Sequence, residues 1–454
     1  MKKRSLDVVL LFILVIARVR IDTLVDALVA PRPVETLQRV PLLGSLLPPR
    51  SLDLLQNWMI DPYSLLLITL TFGLLTAYLV LEALRDHLAE ETLYRLKWVL
   101  ILCLVLSTVV AQSSFLILLR HVSGPASYSH DGGVIQTEET IKYILAGKNP
   151  YVEDYVDTPM AEWGLEHKTA LYHYPYLPWT FLFPAPFYLF SRAVLGWYDQ
   201  RFVYLALFVI MLFLIPRLAR SHTAKLCLTM TLGLNPIMGN DVIYGQNDSF
   251  VLFWIVLALY LLRCKRPTLS AIVFGLACAS KSTAWFLAPF YLLYLLRRES
   301  LSLKNLSATG ASLLHRILPA VLVFAVLVLP FALWNLDAMV DDVWRWSSGT
   351  AETPYQIRGW GLANLVLALG LVKSRLSYFP FWIFELLFSL PLFLLLLRRQ
   401  TRSNTLSTAL YGYGALLLVF FYFSRFLNEN YLGYILACLA LAYFMGPKEA
   451  EEQA

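Results

Sequence analysis

Twelve stretches of this chain are apolar enough, for long enough, to form helices that present hydrocarbon on all sides. They lie near residues 6–20, 63–84, 97–119, 202–216, 225–239, 249–263, 268–281, 283–297, 313–334, 377–397, 405–423 and 430–446, and charged or turn residues bound each of them. A water-soluble fold would need polar faces that are missing here. Of 454 residues, 58% are apolar and only 15% charged, with a mean hydropathy of +0.61, which excludes an ordinary soluble domain. The expected fold is an all-α polytopic membrane protein with about twelve transmembrane helices. Several runs fall short of the roughly 20 residues that an upright span needs, so their ends are soft.

The first run follows Met1-Lys2-Lys3-Arg4, a basic start like that of a signal peptide. No small-residue cleavage site follows and Arg18 and Arg20 close the segment, so it reads as a retained signal anchor. The five cysteines lie in or beside apolar runs without a CxxC pair, and read as packing residues. A net charge of +6 would suggest anionic partners in a soluble protein. Here the Lys and Arg residues sit mostly in short loops, where they orient the chain in a bilayer, and no nucleic-acid partner is expected.

The basic clusters are the N-terminus and residues 85–97, 217–225, 263–266, 297–304 and 398–402. All are cytoplasmic together only if 174–195 and 361–374 do not cross the membrane. The first of these carries Pro175, Pro178, Pro184 and Pro186, which suit a re-entrant or interfacial path, and the second is short. Both termini are then inside, and five polar stretches share the outer face: 121–174, 240–248, the turn at Lys281, 335–360 and 424–430. The chain divides into an N-terminal addition of two spans (1–96), a membrane module with an outer catalytic loop at 120–174 (97–300) and a C-terminal membrane module (301–454).

Asp131, in His130-Asp131-Gly132-Gly133, precedes an amphipathic helix expected on the membrane surface from Val134 to Ala146, ended by Gly147 and Pro150. An N-cap is the plain role for Asp131, compatible with a rigidly aimed carboxylate. Glu138 and Lys142 form an i,i+4 pair, and Glu138 and Glu139 need be no more than solvated charges. His167 and His173 match no standard ligand spacing with His130 and Asp131, so no metal or other cofactor is assigned. The run from Tyr172 to Trp179 reads chiefly as an interfacial aromatic belt. Gln246, Asn247 and Asp248 offer partners for sugar hydroxyls, although Asp248 could equally cap the span that begins at Ser249. Lys281 interrupts about thirty apolar residues, where an ammonium is costly without an anion or a route to water; snorkelling is the plainer alternative. With Arg358 and Arg425 it makes three outer-face cations, which suits a lipid-linked phosphate.

The order of these motifs resembles the GT-C class of membrane glycosyltransferases, and within it the polyprenol-phosphate mannosyltransferases of glycosyltransferase family 87. The resemblance rests on Asp131, Ala146-Gly147-Lys148-Asn149-Pro150-Tyr151, Tyr174-Pro175-Tyr176-Leu177-Pro178, Gly245-Gln246-Asn247-Asp248 and Lys281 followed by Pro289, over about residues 97 to 300. The chain departs from it in having no second carboxylate beside Asp131 and in carrying its loop after the third span.

The resemblance implies a polyprenyl-phosphate sugar donor, a glycan, lipid or protein acceptor, and Asp131 as the base that takes the acceptor's hydroxyl proton. Lys281, Arg358 and Arg425 would bind the donor phosphate, and His130, Glu138, His173, Gln246, Asn247 and Asp248 the sugar or acceptor. Glu139 is a further carboxylate that could serve as base, as are Glu138 and Asp248. A transporter or flippase of lipid-linked sugars would need similar cations and an apolar groove, but its polar groups should lie near mid-membrane and its halves should repeat. A purely structural subunit is the third reading; Asp131 would then be dispensable.

Overall fold

Each of the twelve apolar runs contains helix, and the departures from expectation lie in where the helices stop and what they bury. The computed structural model describes residues 6–28, 34–42, 44–55, 62–123, 129–162, 167–296 and 306–446. The basic start at 1–4 and the cluster at 297–304 lie outside the described residues. The main helices are α1 (Leu6–Leu28), α2 (Pro62–Ala83), α3 (Glu90–Val105), α4 (Ala111–Ser123), α5 (Thr137–Leu145), α6 (Arg201–Leu214), α7 (His222–Gly233), α8 (Met238–Tyr244) and α9 (Asp248–Arg263). They continue with α10 (Pro267–Cys278), α11 (Ala288–Leu295), α12 (Leu306–Trp334), α13 (Phe381–Arg402), α14 (Leu406–Phe423) and α15 (Glu429–Met445).

Among the described residues, six helical stretches are long and apolar enough to cross a membrane, or seven if α8 and α9, bent by 116° at their junction, form one broken span. The chain is therefore an integral membrane protein by its helices. The runs that fall short are shorter helices, such as α10 and α15, or carry too many charges, as α1 does with Asp7, Arg18, Arg20, Asp22 and Asp26. Exposed apolar side chains line α12 at Leu318, Val321, Leu322, Val326 and Leu329, and α13 at Ile383, Leu386, Leu387, Leu390 and Leu394. Hydrocarbon on the outside of a helical body is what a bilayer covers.

The first helix does not end where the sequence places its close. α1 does not close at Arg18 but runs on to Leu28, and the Arg18 side chain is fully buried. The guanidinium finds acceptors inside the protein, donating to Asn240 Oδ1 (2.8 Å) and the Pro236 carbonyl (3.2 Å). Lys97, expected as a cytoplasmic loop cation, is likewise internal, 2.6 Å from Asp7 and 2.6 Å from Glu82. Tyr78 donates to the same Asp7 carboxylate at 2.6 Å. Buried charges persist only when paired, so these contacts fasten the 1–96 stretch to the rest of the body.

A π-turn at Leu106–Val110 joins α3 to α4, with the Ser107 and Thr108 hydroxyls returning to the Leu104 carbonyl. The proline-rich 174–195 stretch forms only the short helices Trp179–Leu182 and Ala185–Leu195, and 361–374 only Leu362–Ala368; neither is a candidate span. Among the described residues one two-residue parallel ladder breaks the all-helical pattern: β1 (Arg358–Gly359) pairs with β2 (Phe426–Leu427), joining two of the expected outer stretches.

Candidate active site

The short helix α8 is the hub of the site. Asn235 starts it, its side-chain carbonyl accepting from the N–H groups of Ile237 and Met238 while its amide donates to the Gly433 carbonyl at 2.8 Å. Gly245 ends it in the left-handed region (φ 86°), where a side chain would be strained. The chain reverses there because the N–H groups of Gly245 and Gln246 both donate to the Asp241 carbonyl, at 2.8 and 2.7 Å. The loop that carries Asp131 docks on this end. The His130 N–H donates to the Tyr244 carbonyl at 2.7 Å, and Gly133 lies so close that a Cβ there would sit 2.1 Å from the Gly245 oxygen.

Asp131 opens a π-helical turn, Asp131–Gln136, that runs into α5. His130, not Asp131, is the N-cap: its Nδ1 accepts from the Gly133 N–H at 3.0 Å. The Asp131 carboxylate is thus not consumed by capping, and its Oδ1 lies 3.1 Å from the His130 Nδ1. Burial holds His130 below the usual histidine range; Lys281 and Arg358 act in the same direction, while Asp131 and Asp248 oppose it. Charges from four of the five expected outer stretches therefore act on one imidazole.

Lys281 does not snorkel. It is 8% exposed, and its Nζ lies 2.7 Å from Asp248 and 3.3 Å from Asn247 Oδ1, between the rings of Tyr176 (5.6 Å) and Tyr431 (5.1 Å). Asp248 is not a cap either, since it sits inside the first turn of α9 and its second oxygen accepts from the Asn430 amide. The aromatic return is more than a membrane belt: Leu177 and Trp179 donate backbone bonds to the Ser280 and Ala279 carbonyls at 3.1 and 3.0 Å. This seats Tyr176 between the two key residues. Its ring flanks Lys281, and its hydroxyl would lie 2.9 Å from a Cβ on Gly132, next to Asp131.

The other expected site residues divide. Arg358 is exposed beside Tyr355, a neighbour that also senses Asp131. Arg425 is 2% exposed, and its guanidinium donates to the carbonyls of Tyr355, Ser377 and Arg375. It holds the 349–377 segment together, with three of its five N–H donors engaged by these carbonyls. Gln246 and Asn247 stay near the hub, where Gln246 Oε1 and Asn247 Nδ2 are buried without a hydrogen-bond partner.

Glu138 and Glu139 are buried rather than solvated. Arg120 grips Glu138 at 2.9 and 3.0 Å, and the Gln200 N–H adds 2.8 Å; Arg120 also reaches Asp199, itself bound to Arg201. Lys142 pairs with Glu139 at 2.6 Å, not with Glu138. The expected surface helix is thus pinned on its polar side by an ion network. His173 sits in a second buried unit, bonded to Asp342 (2.9 Å) and Thr353 (2.7 Å). Burial pushes the Asp342 carboxyl up to about 6 against the lowering effect of His173 and the Tyr174 N–H. His173, Asp341 and Asp342 are the group, among the described residues, whose ligand atoms could surround a metal ion; His130 and His167 are not in it.

Sequence reasoning passed over Asp241, Asn430, Tyr355 and Asp342. Asp241 was the most accessible, because a carboxylate between Pro236 and Gly245 beside an apolar run already raises the question of what compensates it.

Residues 143–297 match the family model described as "Alpha-(1->6)-mannopyranosyltransferase, N-terminal domain", which supports glycosyltransferase activity with mannose. The match includes the Gly147-to-Tyr151 segment, the aromatic return, the hub and Lys281, and begins twelve residues after Asp131. No curated protein and no solved structure matches the chain.

Proposed function

We propose that this protein is an inverting glycosyltransferase that moves mannose from a polyprenyl-phosphate donor to a lipid, glycan or protein acceptor. In this reading the chain makes twelve passes as a GT-C-like bundle, with the reaction on the non-cytoplasmic face. The observation that carries it is the meeting of Asp131 and Lys281 around Tyr176, with the α8 hub beneath them.

Asp131 takes the proton of the acceptor hydroxyl as that oxygen attacks the anomeric carbon. The bond from that carbon to the phosphate oxygen breaks on the opposite face, and the lipid phosphate leaves as an anion that needs no general acid. Its charge is met by Lys281 and Arg358. An ammonium has three donors, and Asp248 and Asn247 account for two of those on Lys281. Gln246 and Asn247, with buried amide atoms lacking partners, are suited to sugar hydroxyls. Arg425 shapes the segment that presents Arg358. His173 and Glu138, bonded within the protein, position the aromatic return and the catalytic loop.

The test is transfer from radiolabelled polyprenyl-phosphate mannose in membranes containing the protein, with the product's anomeric configuration read by NMR. Transfer with inversion supports the reading. Retention, or transport of the intact lipid-linked sugar without transfer, contradicts it.

A further inference from the structure

Asp241 lies on α8, where its backbone carbonyl builds the turn that leads to Asn247 and Asp248. Its side chain has a different standing. The residue is 4% exposed, and the Oδ2 atom is enclosed without any hydrogen-bond donor. The other buried carboxylates of this region are satisfied: Asp248 by Lys281 and Asn430, Asp199 by Arg120 and Arg201, Glu138 by Arg120 and the Gln200 N–H. The charges that act on Asp241 are Asp248 and Glu429, which repel it, and Lys281 and Arg18, which attract it. Arg18 is committed to Asn240 and Pro236, and Lys281 to Asp248 and Asn247. An enclosed carboxyl oxygen with no donor is destabilising, and a donor on a bound ligand would remove that cost.

We infer that Asp241 is a sugar-recognition residue, a carboxylate that accepts hydrogen bonds from hydroxyls of the mannosyl unit bound against the α8–α9 turn. Three observations on neighbouring residues give the ligand's class. Gln246 Oε1, Asn247 Nδ2 and Ser249 Oγ are also buried without partners, all within eight residues of Asp241 in sequence. Acceptors and donors mixed in this way match a polyol, whose hydroxyls do both. A phosphate, which only accepts, would be repelled by Asp241. The inference rests on the glycosyltransferase reading and assigns its sugar end to α8, with the phosphate toward Lys281 and Arg358.

The test pairs Asp241→Asn with a set of monodeoxy mannosyl donors in the 454-residue chain. Replacing an enclosed carboxyl oxygen that has no donor should leave Tm unchanged or raise it, while transfer of the natural sugar falls by at least about ten-fold, the worth of one hydrogen bond to a carboxyl acceptor. For the deoxy donor that lacks the recognised hydroxyl, wild type and variant should be equally slow. A lowered Tm with a uniform loss for every donor makes Asp241 structural and overturns the inference, as does unchanged transfer for all donors. Stabilisation by methyl mannoside, measured as a rise in Tm, reads the subsite without transfer. Stabilisation of the wild type alone supports the subsite even if no donor is used, in which case it is the transferase reading that fails. Equal or absent stabilisation of both proteins overturns the subsite.

Discussion

The ammonium of Lys281 lies 2.7 Å from the carboxylate of Asp248, with side chains 9% and 1% exposed, and this pair ties the turn after α10 to the start of α9. The Asn430 amide on the far side of Asp248 extends the tie to α15. Breaking a buried pair leaves an uncompensated charge, whereas removing both members is far milder. Lys281→Met should therefore lower stability by about 3 kcal/mol, and adding Asp248→Asn should restore most of it. Transfer should not return with stability if Lys281 meets the leaving phosphate as proposed, because that cation is still missing. Chemical denaturation and initial-rate assays on the same membranes separate the two effects.

Arg358 and Arg425 flank one small ladder and should behave oppositely. Arg358→Met removes an exposed cation and should raise the donor KM by about ten-fold with Tm unchanged. Arg425→Met strips donors from three carbonyls and should lower Tm first, with a stability loss of about 2 kcal/mol. Equal Tm for the two variants would refute this division.

The His173–Asp342 unit gives a pH signature. The Asp342 carboxyl rises from its ordinary 3.8 to about 6, through burial, so the fold holds its proton more tightly than the unfolded chain does. That contribution is fully present below pH 3.8 and is lost as pH rises through about 6. The difference in stability between wild type and Asp342→Asn should shrink across that window by about 3 kcal/mol and stay flat above it. Thermal unfolding of both proteins at stepped pH reads it directly.

Arg18 carries the N-terminal helix into the site. It holds Asn240 at 2.8 Å, and a Cβ on Gly239 would meet its Nη1 at 2.8 Å. From there α8 leads to the Tyr244 carbonyl that fixes His130. Arg18→Gln and Asn240→Ala should be non-additive in stability by about 1 kcal/mol. Both should slow transfer, while Lys97→Met, at the other end of α1, should lower Tm with little effect on kcat. A double-mutant cycle with parallel kinetics tests the coupling.

The membrane class and the sites of the helices were legible because hydrophobic runs are local signals. What escaped the sequence was pairing. Glu138 and Lys142 stand at helical spacing, yet Arg120, eighteen residues away, takes Glu138 and leaves Lys142 to Glu139. Asp131 stands where a cap belongs, but His130 reaches the Gly133 N–H first. Arg18 looked like the charged end of an anchor, because its acceptors at 236 and 240 lie more than two hundred residues on. The outer cations were found individually, while the burial of Arg425 among carbonyls depends on a ladder of two residues that no local pattern announces.

The central claim, that Asp131 is the base, is tested most directly by comparing wild type with Asp131→Asn for mannose transfer from the polyprenyl-phosphate donor, with donor binding and Tm measured alongside and a chelator arm included. The amide keeps the shape and removes the proton acceptor, so transfer should fall by at least about a thousand-fold, within the range assigned to positioned bases. Tm and donor affinity should hold. Equal transfer in both proteins would contradict the account and move the base to another carboxylate of the site.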